Sequence, residues 1–235
     1  MNLVLLFPED FVSTGLVRLR GRRLEHIRSV HRVTLGDELT VGLLDGMVGK
    51  GRLTLLEEAR LEMQVELVQA PPPKLPLTLV LALPRPKVLN RVVAAATSLG
   101  VSRLFLVNAW KVEKSYWKSP RLSEENLLLQ RILGLEQAKD TRLPELQLRR
   151  LLRPFAEEEL PEIARGSRAL VAHPGSVAPC PRTVEGPVTL AMGPEGGFIP
   201  AEIELLARAG LQPVDLGPRI LRVETALAAL VARLY

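Results

Sequence analysis

The chain has 235 residues, enough for one large or two modest domains, and 47% are hydrophobic, so a sizeable core can form. No apolar run reaches the roughly 18 residues of a membrane span, the first ten residues lack the basic-then-apolar order of a signal peptide, and the lone Cys180 excludes an internal disulfide, which together point to a cytoplasmic protein. A net charge of +5 suits a polyanionic partner, while three scattered histidines and one cysteine offer no Cys/His set for zinc, so no metal is expected.

In chain order, Arg22 to Val30 reads as a helix. Around it, Arg18, Arg20, Arg22, Arg23, Arg28 and Arg32 face a single acid, Glu25, which makes a local positive patch of the kind that contacts phosphates. The alternative is a solvated basic helix. Leu39–Val41 and Arg52–Leu55 read as short strands, with turns expected at Asp45-Gly46 and at Gly49-Lys50-Gly51. Residues 61–68 alternate, placing Leu61, Met63, Val65 and Leu67 on one face of a half-buried strand. The sum is a small β-barrel-like domain bearing one basic helix.

Pro71, Pro72, Pro73 and Pro76 then form a stiff linker poor in backbone donors. We therefore divide the chain into domains at 1–70 and 71–235. Beyond the linker the rhythm changes. Leu77–Leu83 is a buried strand, and Lys87–Leu99 a helix with Val88, Val92 and Ala95 or Ala96 inward, closed by Gly100. Arg103–Val107 is a strand and Ser123–Lys139 a helix. Ala156–Leu160 is a brief acidic patch expected on a solvated surface. Ala169–Ala172, Val188–Met192 and Val214–Leu216 are strands. Ala201–Ala209 is a helix that begins after Pro200, and Val223–Leu234 is a terminal helix. Strands alternating with helices predict an α/β fold with a mostly parallel sheet. The terminal helix is apolar on most faces, so it is buried either within the sheet packing or across a dimer interface.

Ligands of open parallel sheets sit at the carboxyl ends of the strands. Three loops end strands there: Ala172-His173-Pro174-Gly175, Gly193–Phe198 and Gly217–Glu224. Glycine permits close backbone approach and proline fixes the turn, which suits a nucleoside-like ligand read by main-chain groups. Neither of the common glycine-rich phosphate-binding patterns is present, which argues against a nucleotide-dependent enzyme.

The segment Met192-Gly193-Pro194-Glu195-Gly196-Gly197-Phe198, followed by Leu216-Gly217-Pro218-Arg219-Ile220-Leu221-Arg222-Val223-Glu224-Thr225-Ala226, resembles the paired signature of the SPOUT methyltransferases. It is most similar to the RsmE type, which methylates N3 of a uridine in small-subunit (16S) ribosomal RNA. The resemblance covers nearly the whole chain. His26-Ile27-Arg28-Ser29-Val30-His31-Arg32, Gly36-Asp37 and Asp45-Gly46 resemble that family's PUA-like RNA-binding domain. Lys87, Leu99-Gly100-Val101, Glu136-Gln137 and Arg142-Leu143-Pro144-Glu145 fit its catalytic domain. Ser98 and Asp140 depart from it, standing where members often carry Glu and Arg.

The resemblance implies a trefoil knot in the C-terminal domain, S-adenosylmethionine as cofactor, and a homodimer acting on 16S ribosomal RNA, possibly within the assembled 30S subunit. It implies that His173, Pro174, Gly175, Met192, Gly193, Pro194, Glu195, Gly196, Gly197, Leu216, Gly217, Ile220, Leu221 and Thr225 bind the cofactor. Arg222, Glu224 and Arg219 would serve catalysis, with Arg222 the first candidate for a cation near O2 or O4 of the base. Glu224 would orient an arginine or accept the proton; alternatively it is an acid favoured by the helix dipole. RNA contacts would come from Arg18, Arg20, Arg22, Arg23, His26, Arg28, Arg32 and Lys87. The rival readings are a SPOUT methyltransferase acting on transfer RNA and a non-catalytic ribosome-assembly factor.

Overall fold

The computed structural model describes residues 2–31 and 33–235, and Arg32 of the basic cluster lies outside them. Two compact units emerge. One holds the residues up to Pro73 together with Ile132–Leu143, and the other holds Lys74–Arg131 and Pro144–Tyr235.

The first unit is built on a six-stranded sheet ordered β1 (Val4–Leu6), β4 (Glu38–Leu43), β5 (Val48–Leu56), β6 (Leu61–Gln69), β3 (Leu16–Leu19) and β2 (Phe11–Ser13). Every pairing is antiparallel except that of β1 with β4. Alternation in β6 buries Leu61, Met63 and Val65 and half-buries Leu67, as their period-two spacing predicts. The expected helix is present as α1 (Gly21–His26), continued by a π-helical stretch (Ile27–His31), and it turns Leu24 and Ile27 into the same core.

One expectation is overturned. Gly49 and Gly51 form no turn; both lie inside β5. A Cβ on Gly49 would stand 1.8 Å from the Glu66 carbonyl oxygen, and one on Gly51 would stand 2.9 Å from Val41 Cγ1. These glycines allow close approach between strands rather than a reversal. The turn itself is at Asp45-Gly46, with Asp45 at φ 55°.

The second unit is a fully parallel six-stranded sheet ordered β12 (Gln212–Val214), β10 (Arg168–Ala172), β11 (Val188–Met192), β7 (Leu75–Ala82), β8 (Val101–Val107) and β9 (Glu145–Arg149). Its central strands carry near-continuous apolar runs because both faces are covered. Its helices are α2 (Pro86–Ser98), α4 (Leu152–Pro154), α5 (Leu160–Ala164), α6 (Pro200–Arg208) and α7 (Val223–Leu234), and α3 (Glu124–Ala138) begins in this unit and belongs to the first from Ile132 onward. Gly100, at φ 81°, ends α2 as a left-handed residue. The acidic patch is more than solvated surface. It forms a π-helical turn (Phe155–Glu159) that buries Phe155 and Ala156, while Glu159 accepts from Arg149 Nε at 2.7 Å.

Helix α7 packs against α2 and drives Val223, Leu227, Leu230, Val231 and Leu234 into the core. Burial within the sheet packing therefore accounts for its apolar length. Each fully buried leucine contributes about 1.5–3 kcal/mol. The outer face carries the small residues Ala228 and Ala232 with Thr225.

Candidate functional site

The strand register gathers the three sequence-predicted loops. β10 lies between β12 and β11, and Ala172 is the register partner of both Met192 and Val214. The loops that follow these residues leave the sheet at one level, at its carboxyl edge. They enclose a cavity of about 330 Å³, within the size range of small-molecule sites.

Its walls are His173 and Pro174, Met192 to Phe198, Val214 to Gly217, and Arg219 to Leu221, with Val223, Ala226 and Leu230 of α7 and Lys111 from the loop after β8. Of the expected cofactor residues, only Gly175 and Thr225 stay off the lining. Gly175 continues the turn after Pro174, and Thr225 is exposed on α7. Sequence reasoning placed Phe198 in a ligand loop but missed Lys111, Val214, Asp215, Ala226 and Leu230. Position alone could have flagged Val214 and Asp215, since they end and follow β12.

Local chemistry fixes the loops. The Gly197 N–H donates to the Pro194 carbonyl at 2.8 Å, closing a tight turn that leaves Gly197 at φ 69°. Gly193 sits beneath this turn. A Cβ there would stand 2.9 Å from the Phe198 nitrogen and 3.0 Å from Gly197 Cα, so only glycine fits. Lys111 Nζ donates to the Gly196 carbonyl at 2.6 Å, and the Glu195 carboxylate accepts the backbone N–H of Arg85, at the N-cap of α2, at 3.0 Å. The buried Glu202 carboxylate accepts N–H groups from Ile199 (2.9 Å) and Trp110 (2.7 Å), tying α6 to the loop after β8. On the opposite wall, the His173 N–H donates to the Val214 carbonyl, and the Gly217 N–H donates to the Asp215 carboxylate at 3.1 Å.

The three catalytic candidates do not share one space. Arg219 lines the cavity just described. Arg222 and Glu224 line a second cavity of about 430 Å³ with Arg85, Val88, Arg91 and Glu195, and the two cavities share the Ile220–Leu221 segment as a wall. Glu224, in the first turn of α7, pairs with Arg91 at 3.3 Å. Arg85 and Arg91 carried no sequence signal beyond their charge.

In the first unit, much of the basic cluster is internally paired. Arg18 donates to Glu62 at 2.8 Å, and Arg22 forms a two-point contact with the buried Glu136 at 3.2 and 3.3 Å. Arg23 grips the buried Asp10 through both terminal nitrogens, donates to the Leu5 carbonyl and lies over the Phe7 ring. It is therefore a tether of the fold as well as a charge. Arg28 donates to the Glu58 carbonyl at 3.0 Å, Arg20 is exposed and His26 is half-buried. Lys87 is exposed on α2 in the second unit.

Comparison with known proteins bears on this geometry. Residues 71–235 match the RNA methyltransferase domain family. Over 99% of its length the chain is 31% identical to a ribosomal RNA small subunit methyltransferase E from Treponema pallidum, covering 90% of that protein. A protein of the same name from Mycobacterium bovis is 26% identical over 97% of the chain and 89% of its own length. Among solved structures, a ribosomal RNA small subunit methyltransferase E from Neisseria gonorrhoeae, bound to S-adenosyl methionine, superposes with a TM-score of 0.76 at 25% identity, covering 98% of this chain and 96% of that one.

Proposed function

Because the chain belongs to the RNA methyltransferase family that includes the ribosomal RNA small subunit methyltransferase E proteins, we propose that it transfers a methyl group from S-adenosylmethionine to N3 of a uridine in 16S ribosomal RNA. The observation that carries this reading is the convergence of three backbone-rich loops on one cavity at the carboxyl edge of a parallel sheet. The residues fit the cofactor. Main-chain groups of 193–197 and 216–221 can read a base edge, and Met192, Leu216, Ile220 and Leu221 supply apolar cover. When bound, S-adenosylmethionine supplies an electrophilic methyl group.

The chain's own residues then position and polarise. Orientation alone can lower such a barrier by about 7–11 kcal/mol in well-aligned cases. The uridine N3–H is an imide; its proton passes to solvent water, and the charge left behind spreads over O2 and O4. Arg222 stabilises that charge, and a fixed cation beside the anion makes the imide more acidic. Glu224, paired with Arg91, orients that arginine. Arg219 belongs to the cofactor side.

The same reading extends to the whole chain. The connection after β10 supports a trefoil knot. It bonds to Asp215 through Ala178 and Cys180, and to Arg233 and Leu234 through Thr183 and Val184, so an earlier connection runs beside the C-terminal segment. The six-stranded N-terminal sheet supports a PUA-like RNA-binding domain, with Arg20 and Arg28 among its exposed cations. We further propose a cytoplasmic homodimer acting on ribosomal RNA, free or within the 30S subunit.

Labelled S-adenosylmethionine offered with naked 16S RNA, 30S subunits or transfer RNA tests the reading. Label in N3-methyluridine of the small-subunit RNA supports it. Label only in transfer RNA, or in none of the three, overturns it.

A further inference from the structure

The second cavity abuts the cofactor cavity across Glu195, Ile220, Leu221 and Val223, which line both. Three arginines from two elements converge on it. Arg85 stands at the N-cap of α2, Arg91 lies about 1.7 turns further along the same helix, and Arg222 stands at the N-cap of α7. The two carboxylates that face this space are already engaged. Glu195 accepts the Arg85 backbone N–H at 3.0 Å, and Glu224 pairs with Arg91 at 3.3 Å. The cavity therefore presents cationic donors, with its acids turned to helix capping and arginine positioning.

Arg91 keeps 60% of its side chain exposed while its terminal nitrogen is held by the less exposed Glu224. Such a guanidinium is fixed in direction and still able to donate to a phosphate or carbonyl oxygen from its remaining N–H groups. Val88, Ile220 and Leu221 supply an apolar surface in the same space. Cations at the edge and apolar groups at the wall match a splayed nucleotide, with its phosphate on arginines and its base against aliphatic groups.

Resting on the methyltransferase reading above, we infer that this cavity is the acceptor site: it receives the target uridylate of the RNA. Arg85 and Arg91 grip its phosphate or ribose oxygens, and Arg222 faces the base. Arg91 is a positioning residue whose orientation depends on Glu224. The wall shared with the cofactor cavity brings donor and acceptor together. This also divides the labour of the C-terminal loop, with Arg219 on the donor side and Arg222 on the acceptor side.

The test uses the full chain with Arg91→Ala, Arg91→Lys and Glu224→Gln. It measures S-adenosylmethionine affinity by calorimetry and RNA methylation under steady-state conditions. Arg91→Ala is expected to raise KM for RNA roughly ten-fold or more, the loss of one charge-assisted contact, with cofactor affinity unchanged. Arg91→Lys should recover part of that loss, and Glu224→Gln should raise KM for RNA by freeing the guanidinium. An unchanged KM for RNA in Arg91→Ala overturns the inference, as does an equal loss of cofactor affinity. If the unmodified protein methylates no RNA, the underlying reading fails instead, so the two failures are distinguishable.

Discussion

Gly193→Ala probes the cofactor wall most sharply. Gly193 does not have a positive φ, so alanine carries no conformational penalty there, and the whole effect is steric. The added Cβ would stand 2.9 Å from Phe198 N, 3.0 Å from Gly197 Cα and 3.1 Å from Gly197 C. Ordinary carbon contacts are about 3.5–4.0 Å, so the relief needed is roughly half an ångström or more. All three neighbours are backbone atoms, and no side-chain rotation can supply that relief. The turn must move, and overpacking of this kind costs about 1–3 kcal/mol. Because the displaced turn is a wall of the cavity, the same strain should weaken S-adenosylmethionine binding about ten-fold for each 1.4 kcal/mol. Calorimetric titration reads the affinity and urea unfolding reads the stability. Gly186→Ala is the control, since Gly186 has a φ of 84° and open space around it, and it lines neither cavity. It should lower stability and leave affinity intact. Wild-type affinity in Gly193→Ala, or a loss no greater than in Gly186→Ala, would refute the reasoning.

Three further outcomes are expected. Arg222→Ala should reduce methyl transfer by about 10²–10³ while sparing cofactor affinity, and normal turnover in that variant would remove Arg222 from the mechanism. Cys180 is buried, which pushes its thiol pKa up, so a disulfide reagent should modify it only as fast as the native protein opens; rapid modification of folded protein would contradict that burial. The hydrogen bond from Arg149 holds the Glu159 carboxyl below the usual carboxylate range. A depressed folded value means the pair stabilises above the unfolded value of about 4.3 and loses this as pH falls through the folded value. For a half-exposed pair the contribution is under about 1 kcal/mol, and urea unfolding of Glu159→Gln across pH 2–6 should lose that part of the acid slope.

The C-terminal unit was largely legible because apolar runs and glycine or proline punctuation are local signals. Strand 188–192 and helix 223–234 match their expected limits, and α2 begins at Pro86 and ends before Gly100 as its composition suggests. In the N-terminal unit, β4, β5 and β6 were legible as the strands at 39–41, 52–55 and 61–68, whereas β1, β2 and β3 were not. β1 and β2 have three residues each, and β1 exists because Val4 pairs with Val41, a partner no local pattern can reveal. Gly49 and Gly51 misled for the same reason: their purpose is set by the neighbouring strands, β6 for Gly49 and β4 with β6 for Gly51. The cofactor loops were found because they carry glycine-proline turns, and the register that unites them follows from a strand order that periodicity does not encode. The pairing of Arg18, Arg22 and Arg23 with acids was equally hidden, since Glu62, Glu136 and Asp10 lie in separate segments of the sequence.

The central claim is that the loops at 193–198 and 216–221 are the walls of a methyl-donor site. A crystal structure of this protein with S-adenosylmethionine tests it most directly. The cofactor is expected between those loops, beside His173, with its methyl group toward the Ile220–Leu221 wall and Arg222 beyond it. Cofactor bound elsewhere on the chain, or a methyl group turned away from that wall, would contradict it.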